Sequence, residues 1–163
     1  MKDENSLSNS LVLESSCVTL PVSLAPEIIM VDGRNQIQNF EGLQGETIVL
    51  QGDVLFENVS NSILNIEGPI TSVKIKNLVN SHVTVMSSGP IHINDCLKCL
   101  FTLGCDQLRI HSSNNSRFEI AARSGCIIED STDIEFGPLD ESTPTEHWKC
   151  VQDFSFASSF TFV

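Results

Sequence analysis

Basic residues are scarce in this chain of 163 residues, which carries nine lysines and arginines against 21 aspartates and glutamates. The resulting formal charge of −12 argues against a nucleic-acid-binding protein, because such proteins present a basic face to phosphates. It also disfavours adsorption to anionic membranes and favours a partner with a basic contact surface. Only four of the nine cationic residues are arginines, so the position of each arginine is informative.

Membrane-spanning and secretory signals are also missing from the sequence. No apolar run reaches the roughly 18 residues needed to span a bilayer, and the start MKDENSLSNS has neither a basic nor an apolar signal region. Lys2 stands where a myristoylation site needs glycine, and the end FTFV has no cysteine for prenylation. We therefore expect a cytoplasmic protein without a membrane anchor.

The six cysteines are few and poorly spaced for a metal site. Cys96 and Cys99 have the CxxC spacing of zinc ligands, but no second CxxC or HxxxH pair accompanies them, and structural zinc needs four ligands. We therefore predict no metal site. In a reducing compartment the cysteines are expected to be free thiols that pack as small hydrophobic groups.

Between residues 47 and 137 the sequence repeats a unit of two alternating strands joined at a polar turn. The turn residues are 19, 18, 17 and 18 positions apart: Asn58, Asn77, Asp95, Ser112 and Asp130. Such a repeat, with glycine-containing corners in EGP (67–69), SGP (88–90) and LGC (103–105), is typical of a coiled chain whose turns stack about 4.8 Å apart. We predict an all-β, right-handed parallel β-helix of about five or more rungs, where a rung is one turn of the coil.

The composition divides the chain into three parts. Residues 1–26, rich in serine, asparagine and acidic residues, are predicted to be a flexible lead-in; residues 27–156 form the β-helix domain, and residues 157–163 form a C-terminal tail. Trp148, Phe154 and Phe156 are expected to pack this tail against the coil. The end SFASSFTFV is expected to cover the last rung, because an open strand edge invites association with other chains.

The repeat also predicts which side chains point outward. Residues three and one positions before each turn residue face solvent, which places Arg109 and Glu129 on the same sheet, one rung and two residues apart. Their β-carbons are then about 7–8 Å apart, within reach of long side chains. One interpretation is a surface ion pair worth ~0–1 kcal/mol; the other is a functional arginine.

Several short motifs favour the second interpretation. They are GP (89–90), GCDQLRIH (104–111), IIED (127–130), FGP (136–138) and WKCVQDFSF (148–156). With these motifs, residues 28–156 resemble the β-helical domain of tubulin-binding cofactor C, a domain that also occurs in the retinitis pigmentosa 2 protein. The resemblance is strongest over residues 89–138.

The resemblance implies GTPase activation. In this family the arginine that matches Arg109 acts as an arginine finger on an ARF-like small GTPase, and in cofactor C it serves GTP hydrolysis in the assembly of tubulin with the other tubulin cofactors. The glutamate that matches Glu129 supports the arginine. A guanidinium supplied in trans stabilises the charge of the transferring phosphoryl group, an effect of roughly 10³–10⁵ in kcat. The domain then binds no cofactor, since GTP and Mg²⁺ belong to the partner GTPase.

Four further residues are candidate partner contacts: Asp106, Gln107, His92 and His111. Gln107 agrees with the family pattern, whereas Asp106 replaces the usual glutamine. An aspartate at that position can pair with Arg109 or place a negative charge near phosphate. The two histidines flank Arg109 on the predicted face.

Three other functions are weighed against GTPase activation. A binding module, such as a GTPase effector or scaffold, would use the same face without accelerating hydrolysis. An actin-binding domain like that of cyclase-associated proteins shares the fold but lacks the QxxR motif. Asp130, Asp133 and Glu135 resemble the carboxylates of polysaccharide-cleaving β-helices, but those enzymes use aromatic sugar platforms, and this chain has no tyrosine and one tryptophan. Tubulin folding would associate the protein with the cytoskeleton.

Overall fold

The computed structural model describes residues 27–163 and shows a coil of about six turns, so the predicted parallel β-helix is confirmed. The predicted lead-in, residues 1–26, lies outside the described residues. In this part of the chain no helix is long and apolar enough to cross a membrane. The elements are β1 (Ile28–Val31), β2 (Arg34–Glu41), β3 (Gln44–Val49), β4 (Gly52–Ser60), β5 (Ile63–Val79), β6 (His82–Ser87), β7 (Ile91–Asn94), β8 (Leu100–Cys105), β9 (Leu108–His111), β10 (Asn114–Ala122), β11 (Cys126–Glu129), β12 (Thr132–Pro138), α1 (Glu146–Lys149), β13 (Val151–Asp153) and β14 (Phe160–Phe162).

Two parallel sheets form the long walls of the coil. The first, which we call the Arg109 sheet, contains β2, β4, the second half of β5, β7, β9, β11 and β13. The second, the opposite sheet, contains β3, the first half of β5, β6, β8, β10, β12 and β14. Each strand pairs with the strand one rung away, whereas β1 pairs antiparallel with β2 at the start of the coil.

The interior is apolar because alternate residues of both sheets point into it. The predicted inward residues are all buried: Val54, Phe56, Leu64, Ile66, Val73, Ile75, Val83, Val85, Ile91, Ile93, Phe101, Leu103, Leu108, Ile110, Phe118 and Ile120. Equal positions of successive rungs stack, so the rings of Phe101 and Phe118 lie 4.8 Å apart and those of Phe118 and Phe136 lie 5.7 Å apart. This stacking ties the strand register to the core, because a slip of one residue would turn the phenylalanines outward.

Two left-handed corners, not one, bend each rung. The predicted turn residues all have φ between 46° and 56°, and a second set of left-handed residues follows three positions later, with φ between 48° and 54°: Asn61, Asn80, Lys98, Asn115 and Asp133. The two residues between the corners form a short third side of the coil. The alternation of the sequence does not reveal this side, because two residues are too few to show an alternating pattern.

Serine hydroxyls satisfy buried backbone groups directly after the left-handed corners of both kinds. The Ser81 hydroxyl donates to the carbonyl oxygen of Val79 at 2.9 Å and accepts the Ser62 amide at 3.2 Å. Ser113 makes the equivalent pair of bonds with His111 and Cys96. A buried polar side chain carries little penalty when its hydrogen bonds are made, so serine is tolerated inside the coil beside these corners.

Two of the three predicted glycine corners are confirmed. A β-carbon at Gly68 would overlap the carbonyl oxygen of Leu50, and one at Gly89 would overlap that of Thr71. The prediction of a corner at LGC is wrong. Gly104 lies inside β8 and pairs with Met86 of β6, whose side chain a β-carbon at Gly104 would overlap. The corner comes two residues later in the chain, at Asp106 and Gln107.

The C-terminal residues cover the last rung as predicted, although with different aromatic side chains. Strand β14 pairs with β12, and the rings of Phe160 and Phe162 lie 5.8 and 6.2 Å from that of Phe136. Trp148 packs edge-on against Phe162 at 5.9 Å, as expected. The prediction that Phe154 and Phe156 pack against the coil is wrong, because their exposed fractions are 54% and 92%.

Candidate functional site

Strand β9 holds Arg109 rigidly and directs it to solvent. Leu108 and Ile110 on either side of it are buried in the core, so the alternation of the strand turns Arg109 outward. In the described part of the chain, no ion pair or side-chain hydrogen bond involves its guanidinium. The backbone is therefore fixed while the charged group remains available for a partner.

Glu129 lies on the same wall as Arg109, in the diagonal relation that the repeat predicts. Arg109 pairs with Ile127 across the ladder, and His111 pairs with Glu129. Arg109 and Glu129 line one shallow groove of about 350 Å³, together with His92 and His111. No ion pair joins the two residues among those described, so the orienting role of Glu129 stays a prediction.

Asp106 and Gln107 form the corner that leads into β9. The Asp106 carboxylate lies 3.7 Å from a guanidinium nitrogen of Arg123 and accepts a hydrogen bond from the Ser124 hydroxyl at 3.3 Å. The expected alternative in which Asp106 pairs with Arg109 does not occur in this structure. Gln107 is partly buried, and its carbonyl oxygen accepts the Ile91 amide.

The two histidines have different surroundings. His111 lies 3.7 Å from the Asp130 carboxylate, and its Nδ1 is 2.9 Å from the Ser112 hydroxyl. His92 lies between Arg109 and Lys74 in one outward column. Desolvation, together with the positive charges of these two neighbours, holds the pKa of His92 below its usual 6.5. His92 is therefore largely uncharged at neutral pH and adds a ring, not a third charge, to the column.

The structure adds two features to this face that the sequence analysis did not include in the site. Lys74 and Lys76 lie on β5, two rungs before Arg109 and His111 in the same outward columns. Phe154 follows β13 beside Glu129, and its amide donates to the carbonyl oxygen of Ile128 at 3.1 Å. The repeat already places both lysines facing solvent, three positions and one position before Asn77, although they were not included among the site residues. Phe154 lies beyond the repeat.

The turn after β13 holds Phe154 and Phe156 away from the core. The Asp153 carboxylate accepts the amide of Ser155 at 3.1 Å and that of Ser158 at 3.0 Å. Desolvation raises the pKa of Asp153, but these hydrogen bonds outweigh it and the pKa is lowered. Both rings remain exposed beside this turn. An exposed aromatic side chain at the end of the Arg109 sheet is a suitable contact for a protein partner.

The cysteines of the CxxC motif face the interior. The Sγ atoms of Cys96 and Cys99 contact the carbonyl oxygens of Asn94 and Leu97 at 3.3 Å. Burial raises the pKa of Cys96 to about 12 and also raises that of Cys99, so neither is a thiolate near neutral pH. Residues 27–163 contain no group of three potential metal ligands.

A larger groove of about 890 Å³ runs along the opposite sheet, beside the second row of left-handed corners. Its charged lining is mixed, with Lys98 and Arg117 near Asp133 and Glu135. Arg117 is already paired with Glu135 at 3.8 Å and with Glu119 at 3.3 Å. None of the predicted site residues lies there, so size alone does not identify the functional face.

Comparison with known proteins places these features in a family. A family model described as tubulin binding cofactor C matches residues 51–159, a span that includes the central part of the Arg109 sheet. Tubulin-specific chaperone C of Homo sapiens is 28% identical over an alignment 124 residues long, which covers 65% of this chain and 35% of that protein. Tubulin-folding cofactor C of Arabidopsis thaliana is 27% identical over 150 residues, 83% of this chain and 42% of that protein.

A shorter but closer match occurs in tubulin-specific chaperone C of Dictyostelium discoideum, which is 39% identical over 69 residues, 41% of this chain and 16% of that protein. The chain therefore spans less than half the length of these relatives. Because the family model covers most of the coil and both candidate residues Arg109 and Glu129, the chain belongs to the tubulin binding cofactor C family.

Proposed function

We propose that this chain is a GTPase-activating domain of the cofactor C type, which inserts Arg109 into the nucleotide site of a partner and thereby supports tubulin folding. The observation that carries the proposal is an outward arginine on a rigid strand with no partner of its own among the described residues. The names of the relatives, tubulin-specific chaperone C and tubulin-folding cofactor C, support the link to tubulin. Such a role corresponds to a cytoplasmic protein associated with the cytoskeleton.

The partner is an ARF-like small GTPase or tubulin itself, assembled with the other tubulin cofactors. GTP and Mg²⁺ are bound by that partner, and this chain supplies no cofactor. Negative charge spreads over the γ-phosphate oxygens during phosphoryl transfer, and a guanidinium placed from outside stabilises it. Lysine lacks the planar fork that reaches two oxygens at once.

The surroundings of Arg109 suit this role. Its strand is hydrogen-bonded on both sides, to β7 and β11, so little backbone entropy is lost when the arginine is positioned. Arg123 pairs with Asp106, so the corner carboxylate before β9 has a cationic partner other than Arg109. Glu129, one rung away, is placed to orient the guanidinium before docking, and Gln107, His92 and His111 surround it as partner contacts.

Single-turnover GTP hydrolysis tests the proposal, with an ARF-like GTPase in one assay and tubulin with the other cofactors in another. We expect Arg109→Ala and Arg109→Lys to lower the stimulated rate by about 10³-fold or more while binding is retained. Glu129→Gln should lower it by roughly tenfold through loss of positioning. Arg117→Ala is the matched control, because Arg117 is an exposed arginine on the opposite sheet.

Equal stimulation of hydrolysis by wild-type protein and Arg109→Ala in both assays would refute the arginine-finger role of Arg109. If both proteins bind the partner but neither accelerates hydrolysis, the chain is a binding module. Loss of binding together with activity in Arg109→Ala would show that the arginine docks the partner and is not a finger.

A further inference from the structure

The centre of the Arg109 sheet is a patch without carboxylates on a strongly acidic protein. Strands β5, β7 and β9 place six outward residues in two columns, which we call the cationic patch: Lys74, His92 and Arg109 in one column and Lys76, Asn94 and His111 in the other. The patch holds three of the nine lysines and arginines of the chain and none of its 21 acidic residues. The formal charge of these six residues is therefore positive, on a protein whose net charge is −12.

Lys74 is the free charge of this patch besides Arg109. The Lys76 ammonium is paired with Glu57 at 3.3 Å, whereas Lys74 takes part in no ion pair among residues 27–163. Lys74 and Arg109 are two strand spacings apart, a distance of about 10 Å along the coil. Uncharged His92 lies between them, so the column presents two separate positive charges.

The patch is small, and its ends limit what it can bind. Leu55 and Glu57 precede it on β4, and Ile127 and Glu129 follow it on β11. A phosphate backbone that extended along the coil would meet a carboxylate at both ends. A compact acidic surface of a protein, with carboxylates about 10 Å from the group that Arg109 contacts, fits the patch instead.

We propose that Lys74 is a second docking residue, which binds an acidic surface of the partner beside its nucleotide site and accelerates association. This inference rests on the proposed function and specifies the partner surface. Arg109 acts on the reacting phosphate, whereas Lys74 acts two rungs away on the protein that holds it. The two residues therefore affect different steps of the same encounter.

The docking role of Lys74 is tested by stopped-flow measurement of the association rate with an ARF-like GTPase that is loaded with a non-hydrolysable GTP analogue. The rate is measured at low and at high salt. Lys74→Gln should slow association roughly threefold to tenfold at low salt and weaken its salt dependence. The hydrolysis rate at saturation should stay at the wild-type value. Lys98→Gln is the matched control, since it removes the same charge from a corner beside the opposite sheet. Thermal unfolding should show that both variants are folded.

A second measurement needs no GTPase. A short polyglutamate peptide, titrated into the protein and followed by NMR shifts of the Arg109 sheet, should bind in a salt-sensitive manner to wild type and less well to Lys74→Gln. Absence of this binding while Arg109-dependent hydrolysis persists would overturn the docking role alone.

In the association experiment, equal slowing by Lys74→Gln and Lys98→Gln would also overturn the docking role. Lys74-dependent association without any effect of Arg109→Ala on hydrolysis would instead refute the proposed function and leave the docking role standing.

Discussion

Arg109 and Arg117 occupy comparable outward positions on the two sheets of one coil, yet their electrostatic surroundings differ. Carboxylates of Glu119 and Glu135 neutralise Arg117 at 3.3 and 3.8 Å. The column neighbours of Arg109 are His92 and Ile127, and neither is negatively charged. An arginine without a counter-charge costs little free energy of folding at an exposed position, because water solvates it. Its full charge is then available to a partner.

His92 should make the stability of the fold depend on pH in a specific window. Its folded pKa is lowered by desolvation, Arg109 and Lys74, so the unfolded chain takes up the proton first as the pH falls. Stability should therefore decrease as the pH drops from about 6.5 towards the folded pKa, and His92 should contribute no pH dependence above that window. Urea unfolding of wild type and His92→Asn on both sides of pH ~6.5 measures this.

We expect His92→Asn to lose part of the acid sensitivity of the wild type. His147→Asn is the control, because that histidine lies in α1, outside the column that Lys74, His92 and Arg109 share. An identical loss of stability at acid pH in wild type and His92→Asn would contradict the assignment.

The elements of this protein are short, and their corners set the geometry more than their strands do. Each rung turns at two left-handed residues, most of them asparagine or aspartate, which adopt this conformation more readily than other non-glycine residues. The side chains also bond between rungs: the Asn77 amide donates to Asn58 at 2.7 Å, and that of Asn80 donates to Asn61 at 2.7 Å. These bonds link the corners of the first rungs and help to hold those rungs in register.

Gly89→Ala should disrupt one such corner. The added methyl group would overlap the Thr71 carbonyl oxygen of the preceding rung, and a backbone atom cannot move aside without breaking the ladder. We expect a loss of about 1–3 kcal/mol in the free energy of unfolding, measured by urea denaturation. Gly137→Ala is the matched control, because its new β-carbon would meet Val163 at an ordinary contact distance of 3.5 Å. Its loss in the free energy of unfolding should be about 0.5 kcal/mol. Similar values for both variants would contradict this account of the corner.

The whole molecule is a one-dimensional stack in which each rung mainly contacts its two neighbours, so stability depends on how the ends are closed. At the start, β1 pairs antiparallel with β2. At the end, β14 adds a strand beside β12 and places two phenylalanine rings over Phe136. Closure of the end also keeps the Arg109 sheet in place, because β13 and β14 belong to the same final turn.

Removal of residues 157–163 should expose the edge of β12 and one side of the phenylalanine stack. We expect the free energy of unfolding to fall by at least about 2 kcal/mol and the truncated chain to associate with itself through the open edge. Urea denaturation and light scattering over a range of concentrations measure the two effects. Phe156→Ser is the control, since that ring is already exposed. A truncated chain that stays monomeric and as stable as wild type would show that the last strand does not close the coil.

The periodic part of the fold was predictable, because a repeat counted in the sequence maps directly onto stacked rungs. The turn residues Asn58 to Asp130, the inward columns and the outward position of Arg109 followed from alternation alone. The second corner and its two-residue side were missed, since Lys98 and Asn115 carry no periodic hydrophobic signal. The exposure of Phe154 was also missed, because β13 lies beyond the counted repeat and its register with β11 was not predicted.

The sequence by itself therefore determined the coiled architecture, the face on which Arg109 and Glu129 lie, and the absence of carboxylates between Lys74 and Arg109. Alternation and repeat length are properties of the local sequence, so they can be recognised without knowing which distant residues are in contact. Only the tertiary structure decided which charges are neutralised: Arg123 with Asp106, Lys76 with Glu57, and neither Lys74 nor Arg109 among the described residues. The physical reason is that ion pairing depends on side-chain directions and distances between rungs, which the order of residues does not specify.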